Sequence, residues 1–449
     1  MLCENRFYGN GNMKNKKKIG LALSGGGYRA AIYHIGTLRK LNAMGVLKNI
    51  DVISSISGGS ITNAFYAIHY DNFKEFEKMF NDALSVNILM LIIKAHFLRI
   101  TLITIFLLGI LILSFNVTGI YLLLMFVFLF TIIYFFQFKI LDFSSFVSDA
   151  YDKIFFKGLK VKDLKCNHNV LINATNMDTG RLFSFSNIKM GDSKYTNEKG
   201  VHFKNHGDFK LSKAVMASSA YPLLFNPICI NKTEFIDYEN CDDILPALTD
   251  GGVYDNQGSA KLFEEMSSYR CDIVIASDGG KVLEDFSKIP TNSITLLVRT
   301  IFLMGTRIDR LSDSINLYGK RKSIKLNPVK HSLYWDANRI IPEFIKSVKN
   351  GIISEDLLLY HKISNSDIVA LRNSNTSVQK EKELIERIEE NINYKGIIKD
   401  AVSLAELEKA RQLKTSLLPI KEYTRDILIK HAEVMTELTL KIYAPFLLD

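Results

Sequence analysis

The sequence predicts an α/β fold built on a parallel sheet, split by an inserted transmembrane helical hairpin and completed by a mainly helical C-terminal part. Three observations carry this reading. Two units of strand, glycine turn and helix lie within 40 residues of one another, a long run without charge follows, and strand-like segments then resume. Strands alternating with helices in this way signal a sheet with crossover helices.

The first unit begins at residues 18–23, where Lys-Ile-Gly-Leu-Ala-Leu enters Ser24-Gly25-Gly26-Gly27. Helical spacing then runs from Tyr28 to Met44 and stops at Gly45. The second unit begins at residues 51–56, passes through Ser57-Gly58-Gly59-Ser60 and continues as a helix to about Tyr70. Further strands are expected at 170–174, 181–186, 243–248 and 272–276. Beyond about residue 300 the chain reads as mainly helical and mixed in charge, ending in a helix over 426–443.

At 449 residues and 47% hydrophobic the chain is too apolar to be disordered, and five cysteines with eight prolines fit neither a disulfide scaffold nor a low-complexity one. Its mean hydropathy of +0.08 has a local source, since no charged residue occurs from Ile100 to Phe138. A single straight helix of that length would measure about 58 Å, nearly twice the ~30 Å hydrocarbon core. The polar break Ser114-Phe-Asn116-Val-Thr118-Gly119 divides the run into spans near 97–114 and 119–138. Lys94, Arg99 and Lys139 flank the outer ends and the turn is uncharged, so the positive-inside rule puts both ends in the cytoplasm. The alternative home for such a run is a hairpin buried in a large soluble core.

Residues 1–20 carry Arg6, Lys14, Lys16, Lys17 and Lys18 against Glu4, and no apolar segment of signal-peptide length follows, so export is not expected. This basic arm suits a solvated tail, anionic lipid headgroups or nucleic acid. The cysteines (Cys3, Cys166, Cys229, Cys241 and Cys271) are odd in number and lack C-x-x-C spacing, which points to free thiols in a reducing compartment.

Gly25-Gly26-Gly27-Tyr28-Arg29-Ala30 admits two mechanisms. As G-x-G-x-x-[GA] after a strand it fits a dinucleotide fingerprint, but Asp51 sits at the near end of the second strand, and the far end lacks the acidic residue that holds a ribose. A Walker loop is excluded because no Gly-Lys-Ser/Thr follows. Read instead as backbone N–H groups at a helix start, the cluster is an oxyanion hole. The second turn, Ser55-Ile-Ser57-Gly58-Gly59, approximates the G-x-S-x-G elbow that lifts a serine hydroxyl above a sheet, with Ser55 replacing the first glycine. Ser54, Ser55 and Ser60 are rival nucleophiles, and a serine-rich loop or a helix N-cap is the non-catalytic reading. A nucleophilic serine needs a base. None of the nine histidines sits in a motif, His34 being nearest, whereas Asp250-Gly-Gly and Asp278-Gly-Gly each offer a carboxylate after a strand.

Taken in order, Ser24-Gly-Gly-Gly27-x-Arg29, Ser57-Gly-Gly, Asn173-Ala-Thr-Asn176-Met-Asp-Thr-Gly180, Ala217-Ser-Ser-Ala-Tyr-Pro222-Leu-Leu-Phe225-Asn-Pro227 and Asp250-Gly-Gly resemble the blocks of the patatin-like phospholipases. The resemblance covers about residues 18–280 and skips the apolar hairpin. It implies a parallel-sheet α/β hydrolase core with a Ser-Asp dyad. In that dyad Ser57 is the nucleophile and Asp250 the base, and the N–H groups of Gly25, Gly26 and Gly27 form the oxyanion hole. Arg29 braces that loop or meets a phosphate, and Ser55, Gly58 and Gly59 shape the elbow. Asp278 falls after the block that supplies the base. No metal or other cofactor is implied.

The expected function is a membrane-anchored lipid acyl hydrolase that cleaves carboxylic esters through an acyl-enzyme on Ser57, with water or another alcohol accepting the acyl group. Its partners are a phospholipid or other lipid ester and the bilayer, with no nucleic acid. The expected division is a basic arm (1–17), two parts of the catalytic domain (18–90 and 143–299), a membrane hairpin (91–142) and a helical C-terminal region (300–449). Because Ser57 precedes and Asp250 follows the apolar run, one shared sheet requires an even number of crossings, with the catalytic domain on the cytoplasmic face. A carboxylate base is expected to stay ionised well below pH 6. Two other classes fit the same residues: a membrane-bound scaffold weakened by Ser55, and a hydrolase of soluble acyl esters or thioesters.

Overall fold

The computed structural model of the protein describes residues 17–448 except 116–118, 199, 201, 204–205, 223, 236–243, 245, 282–288 and 319–328. Most of the basic arm and the middle of the expected hairpin turn therefore lie outside the described residues. β1 (Ile19–Leu23) and β2 (Val52–Ser55) are buried along their whole length and pair in parallel, Leu21 opposite Ile53. Each runs through a sharp turn into a helix, α1 (Gly27–Ala43) and α2 (Gly58–Ile68). Strands buried along their whole length suit a sheet covered on both faces.

The apolar segment follows as α3 (Phe97–Ser114) and α4 (Gly119–Ile140). The chain then returns to the sheet with β3 (Asn169–Asn176), β4 (Arg181–Ser186) and β5 (Met190–Gly191). α5 (Leu211–Ser219), β6 (Ile228–Cys229), β7 (Ala247–Asp250) and β8 (Ile273–Asp278) come next. α6 (Ser293–Tyr318), β9 (Val329–Ser332) and a set of shorter helices lead to α7 (Glu422–Tyr443).

The strand order is β5-β4-β3-β2-β1-β8-β9, with β7 joined to β3 and β6 to β7. β1, β2, β3, β8 and β9 run parallel, whereas β4 and β7 are antiparallel to β3. The sheet is therefore mixed, which corrects the all-parallel expectation. The reason is local, because only four residues separate β3 from β4. A parallel crossover needs a dozen or more, so the chain can only fold straight back. The strand expected at 243–248 is shifted to Ala247–Asp250, which makes Asp250 its last residue.

The C-terminal part is mainly helical, as expected, but it is not separate from the sheet. β9 pairs with β8, Ile275 opposite Val329, and α7 packs along α1 so closely that a Cβ on Gly36 would overlap the carbonyl of Ile429. A second apolar cluster, with Phe344, Leu384 and Leu438 at its centre, is built from the C-terminal helices alone.

Candidate active site

Ser57 sits between β2 and α2 with φ 48° and ψ −117°. A non-glycine residue there costs about 1–3 kcal/mol and persists only where its surroundings impose it. Two glycines impose the crowding. A Cβ on Gly58 would overlap the carbonyl of Gly27, and one on Gly59 would lie 2.7 Å from the carbonyl of Ser24. The two strand-to-helix turns are thus nested, and Ser57 is presented at their junction.

The rival serines are withdrawn from the surface. Ser54, Ser55 and Ser60 are fully buried, while Ser57 is partly exposed. Ser54 Oγ accepts from Asn173 Nδ2 at 3.0 Å. Ser55, in the place of the elbow glycine, donates to the Leu171 carbonyl at 2.9 Å and accepts from Asn63 Nδ2 at 3.0 Å and Ser60 Oγ at 3.1 Å. Its hydroxyl is absorbed into the sheet and leaves the elbow conformation intact.

The glycine loop brings three N–H groups to the same junction, but one differs from the expected set. Gly25 N–H donates to the Asn256 carbonyl at 2.9 Å, so it is removed from the oxyanion hole assigned to it above. Among the described residues, the N–H groups of Gly26, Gly27 and Gly58 make no hydrogen bond. Gly58 directly follows Ser57, the position that supplies one oxyanion donor in a serine elbow. The Ser57-Gly58 spacing itself carries the signal for this donor.

Arg29 is fully buried, and its guanidinium braces the loop from behind. It donates to the Gly279 carbonyl at 3.2 Å, the Leu413 carbonyl at 2.6 Å and Thr415 Oγ1 at 3.4 Å. Tyr28 N–H donates to the Ser416 carbonyl at 3.0 Å, so a segment nearly 400 residues away in sequence pins the start of α1. His34 is buried behind the same loop, bonded to Ser277 Oγ at 2.9 Å and the Ser24 carbonyl at 3.0 Å, and burial pushes its pKa down to about 4.

Asp250 ends β7, where the β3 register sets it opposite Ala174. Its N–H donates to the Ala220 carbonyl at 2.9 Å, and its carbonyl accepts from Thr175 Oγ1 at 2.9 Å. Its carboxylate accepts the Gly252 N–H at 2.7 Å, and the Ser57 side chain is near enough to favour its ionised form. Burial pushes the carboxyl from its ordinary 3.8 up to about 7, and the Gly252 N–H and Ser57 pull the other way without cancelling it. The expectation of a base ionised well below pH 6 is thereby corrected, because desolvation dominates. The other Asp-Gly-Gly, at Asp278, faces Lys330 of β9, with Nζ 3.9 Å from its Oδ2. Among the described residues, no group of three His, Cys, Asp or Glu side chains is placed to hold a metal ion.

Sequence comparison finds a patatin-like phospholipase model matching residues 21–258. No curated protein matches the chain. Similar solved structures include human GIVD cytosolic phospholipase A2, at 12% identity and a TM-score of 0.39, aligned over 59% of this chain and 43% of that one. Another is VipD from Legionella pneumophila, at 14% identity and a TM-score of 0.31, aligned over 94% of this chain and 91% of that one. The family match spans more than half of the sequence, from β1 to just beyond β7, and the chain belongs to the patatin-like phospholipases.

Proposed function

We propose that the protein cleaves carboxylic esters of phospholipids or related lipids through an acyl-enzyme on Ser57, with Asp250 as the base. The observation that carries this reading is the pairing of a serine held at φ 48° with a buried carboxylate whose ionised form the Ser57 side chain favours. Asp250 takes the Ser57 proton as Oγ attacks the ester carbonyl, and the oxyanion is held by the N–H groups of Gly26, Gly27 and Gly58. The protonated Asp250 then passes its proton to the departing alcohol. Water attacks the acyl-enzyme, Asp250 accepts its proton, and the released Ser57 takes that proton back. A carboxyl poised near neutrality suits both directions of transfer.

The membrane hairpin is part of the same proposal. α4 begins a helical stretch, Gly119–Phe156, that is long and apolar enough to cross a bilayer, and the most apolar window of it is not buried at all. α3 joins the helix Ile88–Ala95 through a 68° bend, and the pair passes the same test only when counted together. Phe128, Phe130 and Phe135 stand 67%, 69% and 71% exposed, which water would oppose and lipid would accept. Ser57 and Asp250 lie on one sheet from either side of this insertion, which supports an even number of crossings and a catalytic domain on the cytoplasmic face. The insertion at 91–142 is kept in this reading, whereas the boundary at 300 falls inside α6 and the segment beyond it supplies β9 to the sheet.

The test is fatty-acid release from phospholipid vesicles together with fluorophosphonate labelling, for the wild type and Ser57→Ala. Both signals are expected to vanish in the variant, and labelling that survives there rules out Ser57. Release of the protein from membranes by an alkaline carbonate wash would rule out the hairpin.

A further inference from the structure

The segment Ala217-Ser-Ser-Ala-Tyr-Pro222 takes no chemical part in the mechanism above, yet the two halves of the site meet on it. Ser218, in the last turn of α5, is fully buried. Its hydroxyl accepts the Ser57 N–H at 2.9 Å, donates to the Asn173 carbonyl at 2.6 Å and lies 2.9 Å from Ser60 Oγ. A serine hydroxyl has one proton, so with the Ser218 proton on Asn173 and the Ser60 proton on Ser55, the Ser218 oxygen is left to accept from Ser57. Two residues later the Ala220 carbonyl accepts the Asp250 N–H at 2.9 Å and Thr249 Oγ1 at 2.8 Å. The backbone of the nucleophile and the backbone of the base are therefore hung from one helix end.

This matters because Ser57 cannot hold its own conformation. At φ 48° its N–H has left the ladder of β2 and precedes the first turn of α2, so neither element satisfies it. Ser218 Oγ satisfies it, and the bond on to Asn173 ties the elbow to β3, the strand that also carries β7. We propose that Ser218 is a positioning residue, which with the Ala220 carbonyl sets the distance and direction between Ser57 Oγ and the Asp250 carboxylate. This rests on the reading of Ser57 and Asp250 as nucleophile and base.

The experiment compares Ser218→Ala with Ser219→Ala. Ser219 is the next residue and is also buried, but its hydroxyl donates to the Val215 carbonyl of its own helix at 2.9 Å. Misplacement of a reacting group by about 1 Å costs on the order of 100-fold, so Ser218→Ala should lower kcat about 10- to 100-fold with KM unchanged. Fluorophosphonate labelling should slow by the same factor. The acid limb of its pH profile should also move upward, because the Ser57 side chain that favours ionised Asp250 is displaced. Ser219→Ala should stay within about twofold on all three readouts. Equal behaviour of the two variants, or a loss in Ser218→Ala that follows only its folded fraction, overturns the proposal. If Ser218→Ala does not fold, Ser218→Thr and Ser218→Val decide, since they match in volume and differ in the hydroxyl. Faster labelling of the Thr variant is expected, and equal labelling overturns the proposal. Labelling that persists in Ser57→Ala removes the Ser57 assignment and this proposal with it, whereas its loss there alongside an unaffected Ser218→Ala removes this proposal alone.

Discussion

The chain makes the same three-residue turn twice, Asp250-Gly251-Gly252 after β7 and Asp278-Gly279-Gly280 after β8. In both, the carboxylate accepts the N–H two residues on, at 2.7 Å and 3.0 Å. Locally the two are near copies, and their surroundings part them. Asp250 is buried against Ser57, with its carboxyl raised to about 7 by desolvation. Asp278 keeps 23% of its side chain exposed and faces the Lys330 ammonium. A turn motif supplies a carboxylate, and the neighbouring strands decide whether that carboxylate is poised to take a proton.

The largest effect that tests this contrast is on turnover. Asp250→Asn should lower kcat/KM by about 10²- to 10⁴-fold, the usual worth of a general base, while Asp278→Asn should leave it within a few fold. Comparable losses in both would erase the distinction. Next comes pH. With Asp250 as the proposed base, the rate should fall about tenfold per unit on the acid side of about 7, as read from kcat/KM profiles. A midpoint near 4 would show that burial does not govern the site.

The third effect is on stability, and its sign is opposite to that on activity. The folded pKa of Asp250 is raised above its unfolded value, so folding favours the protonated form. Stability from this group is full below about pH 4 and declines as pH rises through 7. Asp250→Asn should therefore melt above the wild type at pH 8, with the gap closing towards pH 4, as measured by calorimetry. A lower melting temperature at pH 8 would sink the argument. The smallest effect belongs to the other turn. Lys330→Met removes a partly exposed pair at 3.9 Å and should cost at most about 1 kcal/mol in denaturant unfolding, with turnover unchanged.

Much of this site is legible in the sequence because its parts are local. The strand at 181–186 is found as expected, and the nested turns at Ser24–Gly27 and Ser57–Gly59 announce themselves through glycines that no side chain could replace. The direction of β4 follows from its four-residue connection to β3, which is too short for a parallel crossover. β9 is not legible in this way, since Val329–Ser332 is too short and too polar at Lys330 to stand out. The loss of Gly25 to the Asn256 carbonyl, the brace from Leu413 and Thr415 onto Arg29, and the Ser218 bond to Ser57 join residues 161 to 386 positions apart. No window of sequence contains such pairs.

The sequence alone therefore determined which residue types are present at each turn, where the apolar insertion begins and ends, and which serine has glycines beside it. These follow from steric limits and hydropathy, which act over a few residues. The tertiary structure decided which N–H groups remain open, which of the two Asp-Gly-Gly turns is desolvated, and that burial pushes the Asp250 carboxyl up to about 7. Those are properties of distance and dielectric, and they exist only once β2, β3, β7 and α5 have closed around the same few ångströms.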